Sequence, residues 1–333
     1  MPGAVNLLLL VAWERINRVA RSFVVRSQSG QRHETNGLRL AFSMLVEKIT
    51  SRQNPLVKRF RRVRAGTEHH LLFLEGVRLI EDAIKAGVRF ESIAFTSALE
   101  ATDRGLALMD TLQNVPCRGA HVSPQVMEGI ADTESPQGVA AIISRPHFEV
   151  EDVFEARPQL VVIADQLQDP GNLGSLIRTA EAAGATGLIT TRYTVDPFNH
   201  KALRASMGGA LRLPVAIGVP AREVAELCNE RGVKLIASRA ARPEPRNTIE
   251  DAALLETVRT YTDVDFNRPI GLILGREASG VSEDVASHAD EFIHIPMAEG
   301  VESLNVAAAG AIILYEVARQ RGFKSRTTGK EME

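Results

Sequence analysis

The sequence predicts an α/β protein built as two unequal domains. Short apolar runs alternate with amphipathic stretches along most of the chain. A charged, proline-bearing interruption at 146–159 divides that alternation, and in the second half the apolar runs end in glycine-containing loops. A length of 333 residues suits about two domains. Apolar content of 44% and charged content of 24% are those of an ordinary globular chain.

The first domain is expected over 46–145. It opens at Val46-Glu-Lys-Ile-Thr-Ser-Arg-Gln-Asn-Pro55. Leu71–Leu74 reads as a strand, and Gly76–Ala86 as an amphipathic helix closed by Gly87. Strands follow at Ser92–Phe95 and Gly138–Ile143, with a helix at Pro124–Ile130 between them. The stretch 146–159 then reads as a linker.

The second domain is expected over 160–322. Leu160–Ala164 is its first strand, followed by the loop Asp165–Gly171 and a helix from Asn172 that Gly184 ends as a left-handed cap. Further strands at Gly187–Thr190, Lys234–Ala237, Ile270–Leu274 and Phe292–Ile295 alternate with helices. Such alternation predicts a mainly parallel sheet covered on both faces. Arg239–Asn247 reads as a Pro/Arg-rich loop. The last helix, Leu304–Arg321, is apolar nearly all the way round from Val306 to Tyr315, so its whole circumference asks for cover. Its own domain and a partner subunit are both open as the source. Residues 323–333 read as a tail.

Charge is unevenly spread. Residues 1–64 carry 13 Lys/Arg against 3 Asp/Glu, whereas the whole chain holds 39 against 41. A basic end on an acidic body suggests a polyanionic partner. Within it, Lys58, Arg59, Arg61 and Arg62 are candidate phosphate contacts. Cys117 and Cys228 form no CxxC pair, which fits a reducing cytosol and a cytoplasmic protein better than a disulfide framework. No apolar run reaches the roughly 18–20 residues of a membrane span. Ala4–Trp13 is apolar, and Arg15, Arg18, Arg21 and Arg26 follow it. A basic, poorly ordered extension over 1–45 and a presequence are the alternatives, with Met44 expected as the functional start.

Three segments carry the chemistry: Asp169-Pro-Gly-Asn-Leu-Gly-Ser-Leu-Ile-Arg178, Leu274-Gly-Arg-Glu-Ala-Ser-Gly280 and Ile295-Pro-Met-Ala-Glu-Gly-Val-Glu-Ser-Leu-Asn305. Each follows an expected strand, where open α/β sheets bind ligands. Asn172 stands at the expected N-cap of its helix and Ser303 at that of the last helix. Arg178 falls opposite the buried stripe Leu176, Ile177, Ala180 and Ala183. Glu277 suits a substrate hydroxyl or a basic partner, or a helix start. Asn305, a mediocre helix former, offers both donor and acceptor groups.

In wording and order these segments resemble motifs 1, 2 and 3 of the SpoU/TrmH family, RNA ribose 2'-O-methyltransferases of the SPOUT superfamily. Ile49-Thr-Ser-Arg-Gln-Asn-Pro-Leu-Val-Lys58, Phe73-Leu-Glu-Gly76 and Pro136-Gln-Gly-Val139 are similar to the family's N-terminal substrate-binding domain, so the resemblance covers about 46–322. It implies a trefoil-knotted SPOUT domain behind a small α/β RNA-binding domain, a homodimer, and S-adenosylmethionine as methyl donor without a metal. By resemblance, Gly275, Glu277, Gly280, Ile295, Pro296, Met297 and Leu304 hold the cofactor. Arg178 matches the arginine that activates the ribose hydroxyl, and Asn172, Glu277, Ser303 and Asn305 match residues that position it. Arg276 departs from the family, which often has asparagine there. Ribosomal RNA is the expected substrate ahead of transfer RNA.

Two other classes were weighed. A dinucleotide-dependent oxidoreductase lacks its G-x-G-x-x-G after an early strand, and neither a P-loop nor H-E-x-x-H is present. A non-catalytic RNA-binding or ribosome-assembly factor remains the alternative, although it has little need for Asn172, Arg178, Glu277, Ser303 and Asn305 together.

Overall fold

Two sheets, one mixed and one wholly parallel, organise the residues that the computed structural model describes, namely 46–157, 159–239, 258–276 and 279–323. The expected extension 1–45 with its start at Met44, most of the Arg239–Asn247 loop, Glu277 and the tail beyond Phe323 lie outside the described residues.

The first sheet contains β1 (Val46–Ile49), β2 (Leu71–Glu75), β3 (Phe90–Phe95), β4 (Arg118–Val122) and β5 (Val139–Ser144) in the order β1-β4-β3-β5-β2. β5 runs antiparallel to both β3 and β2. Helices α1 (Pro55–Arg64) and α5 (Pro124–Ile130) bury Phe60 and Ile130 on one face. Both start with proline at the first helical position behind a side-chain cap, Asn54 in one case and Ser123 in the other. Helices α2 (Val77–Lys85), α3 (Ser97–Glu100) and α4 (Asp103–Leu112) cover the other face, and that core is continuous with the core of the second domain.

The second sheet contains β6 (Leu160–Ala164), β7 (Gly187–Thr191), β8 (Val215–Val219), β9 (Lys234–Arg239), β10 (Val258–Thr260), β11 (Ile270–Leu274) and β12 (Glu291–His294). Their order is β10-β12-β9-β11-β6-β7-β8, with every neighbouring pair parallel. Strands β6, β7 and β11 are buried at every residue, as strands covered on both faces must be. One face carries α6 (Pro170–Ala182), α7 (His200–Ala205) and α10 (Val306–Gln320). The other carries α8 (Ala221–Glu230) and α9 (Glu283–Ala286).

Three expectations change here. The stretch read as a linker holds a 3-10 turn, Val150–Phe154, whose Val153 and Phe154 are buried against the second sheet. β4 and β8 escape the sequence pattern because Arg118, Gly119 and His121 dilute one, and Gly218 the other. The last helix is not covered all round: Ala308, Ile312 and Tyr315 are exposed on one stripe, while Gly310, Ile313, Leu314 and Val317 are buried.

The two domains meet through polar and stacked contacts as well as shared core. Arg145 makes a bidentate pair with Asp196 at 2.9 and 2.7 Å, and Arg204 reaches Asp132 at 2.8 Å. The His200 ring stacks on Phe73 with centroids 5.5 Å apart. Burial holds the His200 imidazole below its ordinary pKa; Asp132 opposes this, and Arg204 and Arg64 reinforce it. The unfolded chain, whose histidines titrate near ~6.5, therefore takes up the proton first as pH falls. Stability tied to this residue is complete above about pH 6.5 and is lost below it. The melting temperature of the wild type should thus drop further between about pH 7 and pH 5.5 than that of His200→Phe, which keeps the stack. Equal drops would remove His200 from the acid response.

Candidate active site

The first motif forms the loop after β6 and the start of α6. Pro170 occupies the first helical position, and the Asp169 carboxylate caps the helix by accepting from the Asn172 backbone N–H at 2.8 Å. Asn172 is therefore inside the first turn and not the cap. Proline's preset φ and a short carboxylate before it start the helix two residues earlier than the sequence reading. The Asn172 side chain is thereby turned toward α10, where its Oδ1 accepts from Asn305 Nδ2 at 2.9 Å.

Asn305 also accounts for the third motif. It is the true N-cap of α10: its Oδ1 accepts from the backbone N–H groups of Ala307 at 3.0 Å and Ala308 at 3.3 Å. One end of the amide satisfies the helix while the other reaches the first motif. Serine has no second arm of that length, and Ser303 sits two residues outside the helix, exposed. Upstream, Ile295 is buried and Pro296 exposed, while Met297 and Leu304 lie half-buried against the core.

In the second motif β11 runs into Gly275, which is buried. A Cβ there would lie 2.3 Å from Gly280 C and O and from Val281 N, so only glycine fits. Arg276 and Gly280 exchange both backbone hydrogen bonds at 2.9 Å, and Gly280 adopts φ of 67° to close the loop. The Arg276 side chain donates to Gln166 Oε1.

Asp165, at the end of β6, stitches these loops together. It is 1% exposed; its carboxylate accepts from Thr191 Oγ1 and from the Ser282 backbone N–H, each at 2.7 Å. Its own N–H donates to Leu274 O at 2.8 Å. The sequence reading passed over Asp165 as a loop residue; an acid directly after a fully apolar strand was the available signal.

Arg178 is exposed on α6. It lies six residues beyond Asn172, about 240° round the helix, and shares a stripe with Gly174 four residues earlier. That stripe faces α7, since a Cβ on Gly174 would lie 2.5 Å from Ala202 O. Within one chain Asn172 and Asn305 are thus in contact, while Arg178 stands on another side of the helix.

The basic cluster is largely engaged within its own domain. Arg61 Nε donates to Gly129 O at 3.0 Å at the end of α5, and Arg59 and Arg62 approach Glu68 at 3.7 and 3.2 Å. Lys58 is exposed.

An all-parallel sheet with loops at its strand ends suited to a ligand, joined to a smaller mixed-sheet domain, has the form of a two-domain α/β ligand-binding protein. Residues 159–315 match the SpoU rRNA Methylase family and residues 54–141 the MRM3-like substrate binding domain. A tRNA/rRNA methyltransferase of Synechocystis is 34% identical, covering 83% of this chain and 95% of its own. The 23S rRNA (guanosine(2553)-2'-O)-methyltransferase RlmP of Bacillus subtilis is 28% identical over 82% of this chain and 99% of its own. Among solved structures, the SpoU methyltransferase AviRb of Streptomyces viridochromogenes, in complex with AdoMet, aligns with a TM-score of 0.69 and 26% identity. That alignment covers 82% of this chain and all of AviRb's. The chain belongs to the SpoU methylase family, and its class is the S-adenosylmethionine-dependent RNA 2'-O-methyltransferases.

Two substitutions probe these loops. Gly275→Ala should abolish S-adenosylmethionine binding in calorimetry, because the added methyl displaces the Gly280 backbone. Asp165→Ala should lower unfolding free energy by about 3 kcal/mol, as two donors to a buried carboxylate lose their acceptor. Denaturant titration measures that loss, and a change under about 0.5 kcal/mol would refute the role.

Proposed function

We propose that this protein transfers a methyl group from S-adenosylmethionine to a ribose 2'-hydroxyl in ribosomal RNA, acting as a homodimer in the cytoplasm. The observation that carries the reading is the Asn172–Asn305 hydrogen bond, which joins the first and third motifs as one polar unit. Ribosomal RNA is preferred because RlmP is named for 23S rRNA.

The residues fit the cofactor. The closed Gly275–Gly280 loop offers backbone at a point where no side chain fits, and half-buried Met297 and Leu304 offer apolar surface beside buried Ile295. Gly275, Gly280, Ile295, Pro296, Met297 and Leu304 would hold it, with Glu277 nearby in sequence. When bound, S-adenosylmethionine supplies an electrophilic methyl on a sulfonium.

The chain's own task is orientation and charge. Asn172 and Asn305 fix each other's amide planes, which presets donors and acceptors for a ribose without reorganisation. A guanidinium is a poor base and a strong, fixed positive charge. The role of Arg178 in this reading is therefore electrostatic, stabilising the oxygen as its proton passes to solvent water, in preference to acting as a base. Ser303 and Glu277 complete the set that positions the substrate.

The dimer answers two features together. Ala308, Ile312 and Tyr315 leave an apolar stripe on α10, and Arg178 stands apart from Asn172 on α6. A twofold partner would cover the stripe and bring its Arg178 to this chain's loops. The trefoil knot belongs to the same reading: the chain leaves β12 near one edge of the sheet and returns to pack α10 on α6. Among the described residues no helix is long and apolar enough to cross a membrane.

Labelled methyl transfer to ribosomal RNA from a deletion strain tests the activity. Arg178→Ala should reduce it at least about a thousandfold while leaving cofactor affinity within about twofold, the pattern of a lost transition-state contact; retained turnover would refute the assignment. Ile312→Asp with Tyr315→Asp should yield monomers in light scattering and inactive enzyme. A dimer that persists would move the interface elsewhere. Lys58→Glu should lower the salt dependence of RNA binding by about one phosphate contact.

A further inference from the structure

A cleft of about 590 Å³ lies at the seam of the two domains, away from the three methyltransferase motifs. Its volume is within the range of small-ligand sites, roughly 300–1,000 Å³. One wall comes from β2, the start of α2 and the segment before β5; the other comes from α7 and the turn after it. Two sequence segments singled out above converge here without a role so far. Phe73-Leu-Glu-Gly76 supplies Glu75 and Gly76, and Pro136-Gln-Gly-Val139 supplies Gln137.

The architecture of the cleft is maintained at some conformational cost. Gly76 adopts φ of 98°, and a Cβ on it would sit 3.0 Å from Gln137 Oε1, which accepts from the Val77 N–H. Glu75 accepts from the Asp132 and Thr133 backbone N–H groups, folding the loop over the rim. On the opposite wall Met207 is held at φ of 50°, a left-handed conformation that a non-glycine residue adopts only under external constraint. The next residue shows that constraint, since a Cβ on Gly208 would lie 2.7 Å from Asp82 Cβ.

The chemistry of the lining is that of a base-binding slot. Half-buried Leu79 and Met207, backed by buried Leu203, give an apolar floor of the kind a heterocycle's face covers. Ser135, Gln137 and exposed Glu134 place hydrogen-bonding groups at its edge, and exposed Arg78 flanks it with positive charge, beside Arg204 in its pair with Asp132. Of the three acids in the lining, Asp82 lies 3.4 Å from Arg212, which also binds Glu181 of α6 at 2.8 Å; Glu75 is held by backbone N–H groups, and Glu134 is an exposed acceptor at the edge. Glu181 is three residues beyond Arg178 on neighbouring helical turns, so cleft and catalytic helix are mechanically joined.

We infer that this cleft takes a nucleobase splayed out of the substrate RNA, flanking the nucleotide that is methylated, and so determines which site is chosen. The inference rests on the RNA-methylating reading above. Sequence-specific recognition of RNA relies on unstacked bases whose faces are covered and whose edges are hydrogen-bonded. A seam between a substrate-binding domain and a catalytic domain is where such a base sets the distance to the reacting ribose.

The test uses the full chain with ribosomal RNA from a deletion strain, substituted with 4-thiouridine and irradiated. Crosslinks should map to peptides containing Leu79 or Met207 in the native protein. In parallel, Met207→Glu and Arg78→Ala are assayed for methyl transfer. Met207→Glu should raise KM for the RNA about tenfold, the loss of one apolar side-chain contact, with kcat, cofactor affinity and melting temperature little changed. Arg78→Ala should lower the salt slope of RNA binding by about 0.7–1. Crosslinks that avoid both walls, together with an unchanged KM, would overturn the cleft assignment while leaving methylation intact. Wild-type enzyme that transfers no methyl to RNA would overturn the parent reading instead, and the crosslinks would still report on the cleft.

Discussion

The structure turns on the close packing of α6 between two other helices. On one side Gly174 lets α7 approach until its Ala202 carbonyl lies 2.5 Å from where a Cβ would be. On the other, Gly310 of α10 admits Leu176 of α6 and Leu274 at the end of β11, at 2.7 and 2.9 Å from the same kind of missing atom. Cores are close to crystal density, so an added methyl at either point would cost about 1–3 kcal/mol in strain. With both flanks fixed, the rotation of α6 is fixed, and with it the direction of every side chain it carries. Asn172 is aimed at Asn305, Arg178 at the outer surface beside α7, and Glu181 at Arg212. One helix thereby connects the strand-end loops, Arg178 and the first domain.

Much of this was legible in the sequence, because the signals were local. Strands β6, β7, β9 and β11 are apolar runs bounded by polar residues, proline or glycine, and α1 and α5 carry their own start signals, a proline behind asparagine or serine. What failed were decisions between neighbouring candidates. Asp169 and Asn172 both suit a cap, as do Ser303 and Asn305, and composition cannot choose. The choice was made by a proline in one case and by a tertiary hydrogen bond in the other. Strands β4 and β8 were hidden by polar and glycine residues; β4 accommodates them between β1 and β3, and β8 does so at the edge of its sheet, paired with β7.

Long-range electrostatics were the least legible. A run of cations at 58–64 looks like a phosphate surface when its partners are unknown. Folding brings Glu68 and the carbonyls at the end of α5 to Arg59, Arg61 and Arg62, so much of that charge serves the first domain itself. The reverse holds for Asp165. In sequence it is a loop acid; in the fold it is a buried carboxylate holding together the ends of β6 and β7 and the return of the second motif. Its three partners come from segments as much as 117 residues away, beyond any local pattern.

A division of labour follows from where polar groups are satisfied and where the domains are bridged. The loops at the strand ends are satisfied internally by backbone closure at Gly275–Gly280 and by the paired amides of Asn172 and Asn305. A site already satisfied needs little reorganisation to meet a ligand, which suits chemistry that depends on orientation. Left-handed non-glycine backbone occurs in both places, at Gln166 and Tyr193 behind the strand ends and at Met207 on the domain seam. At the seam Arg212 bridges Asp82 to Glu181, so the position of one domain is felt at the helix that carries Arg178. Choice of RNA and methyl transfer then reside in different parts of the fold and share α6. On this arrangement the substrate-binding wall can vary among relatives while the transfer chemistry on the second sheet is kept.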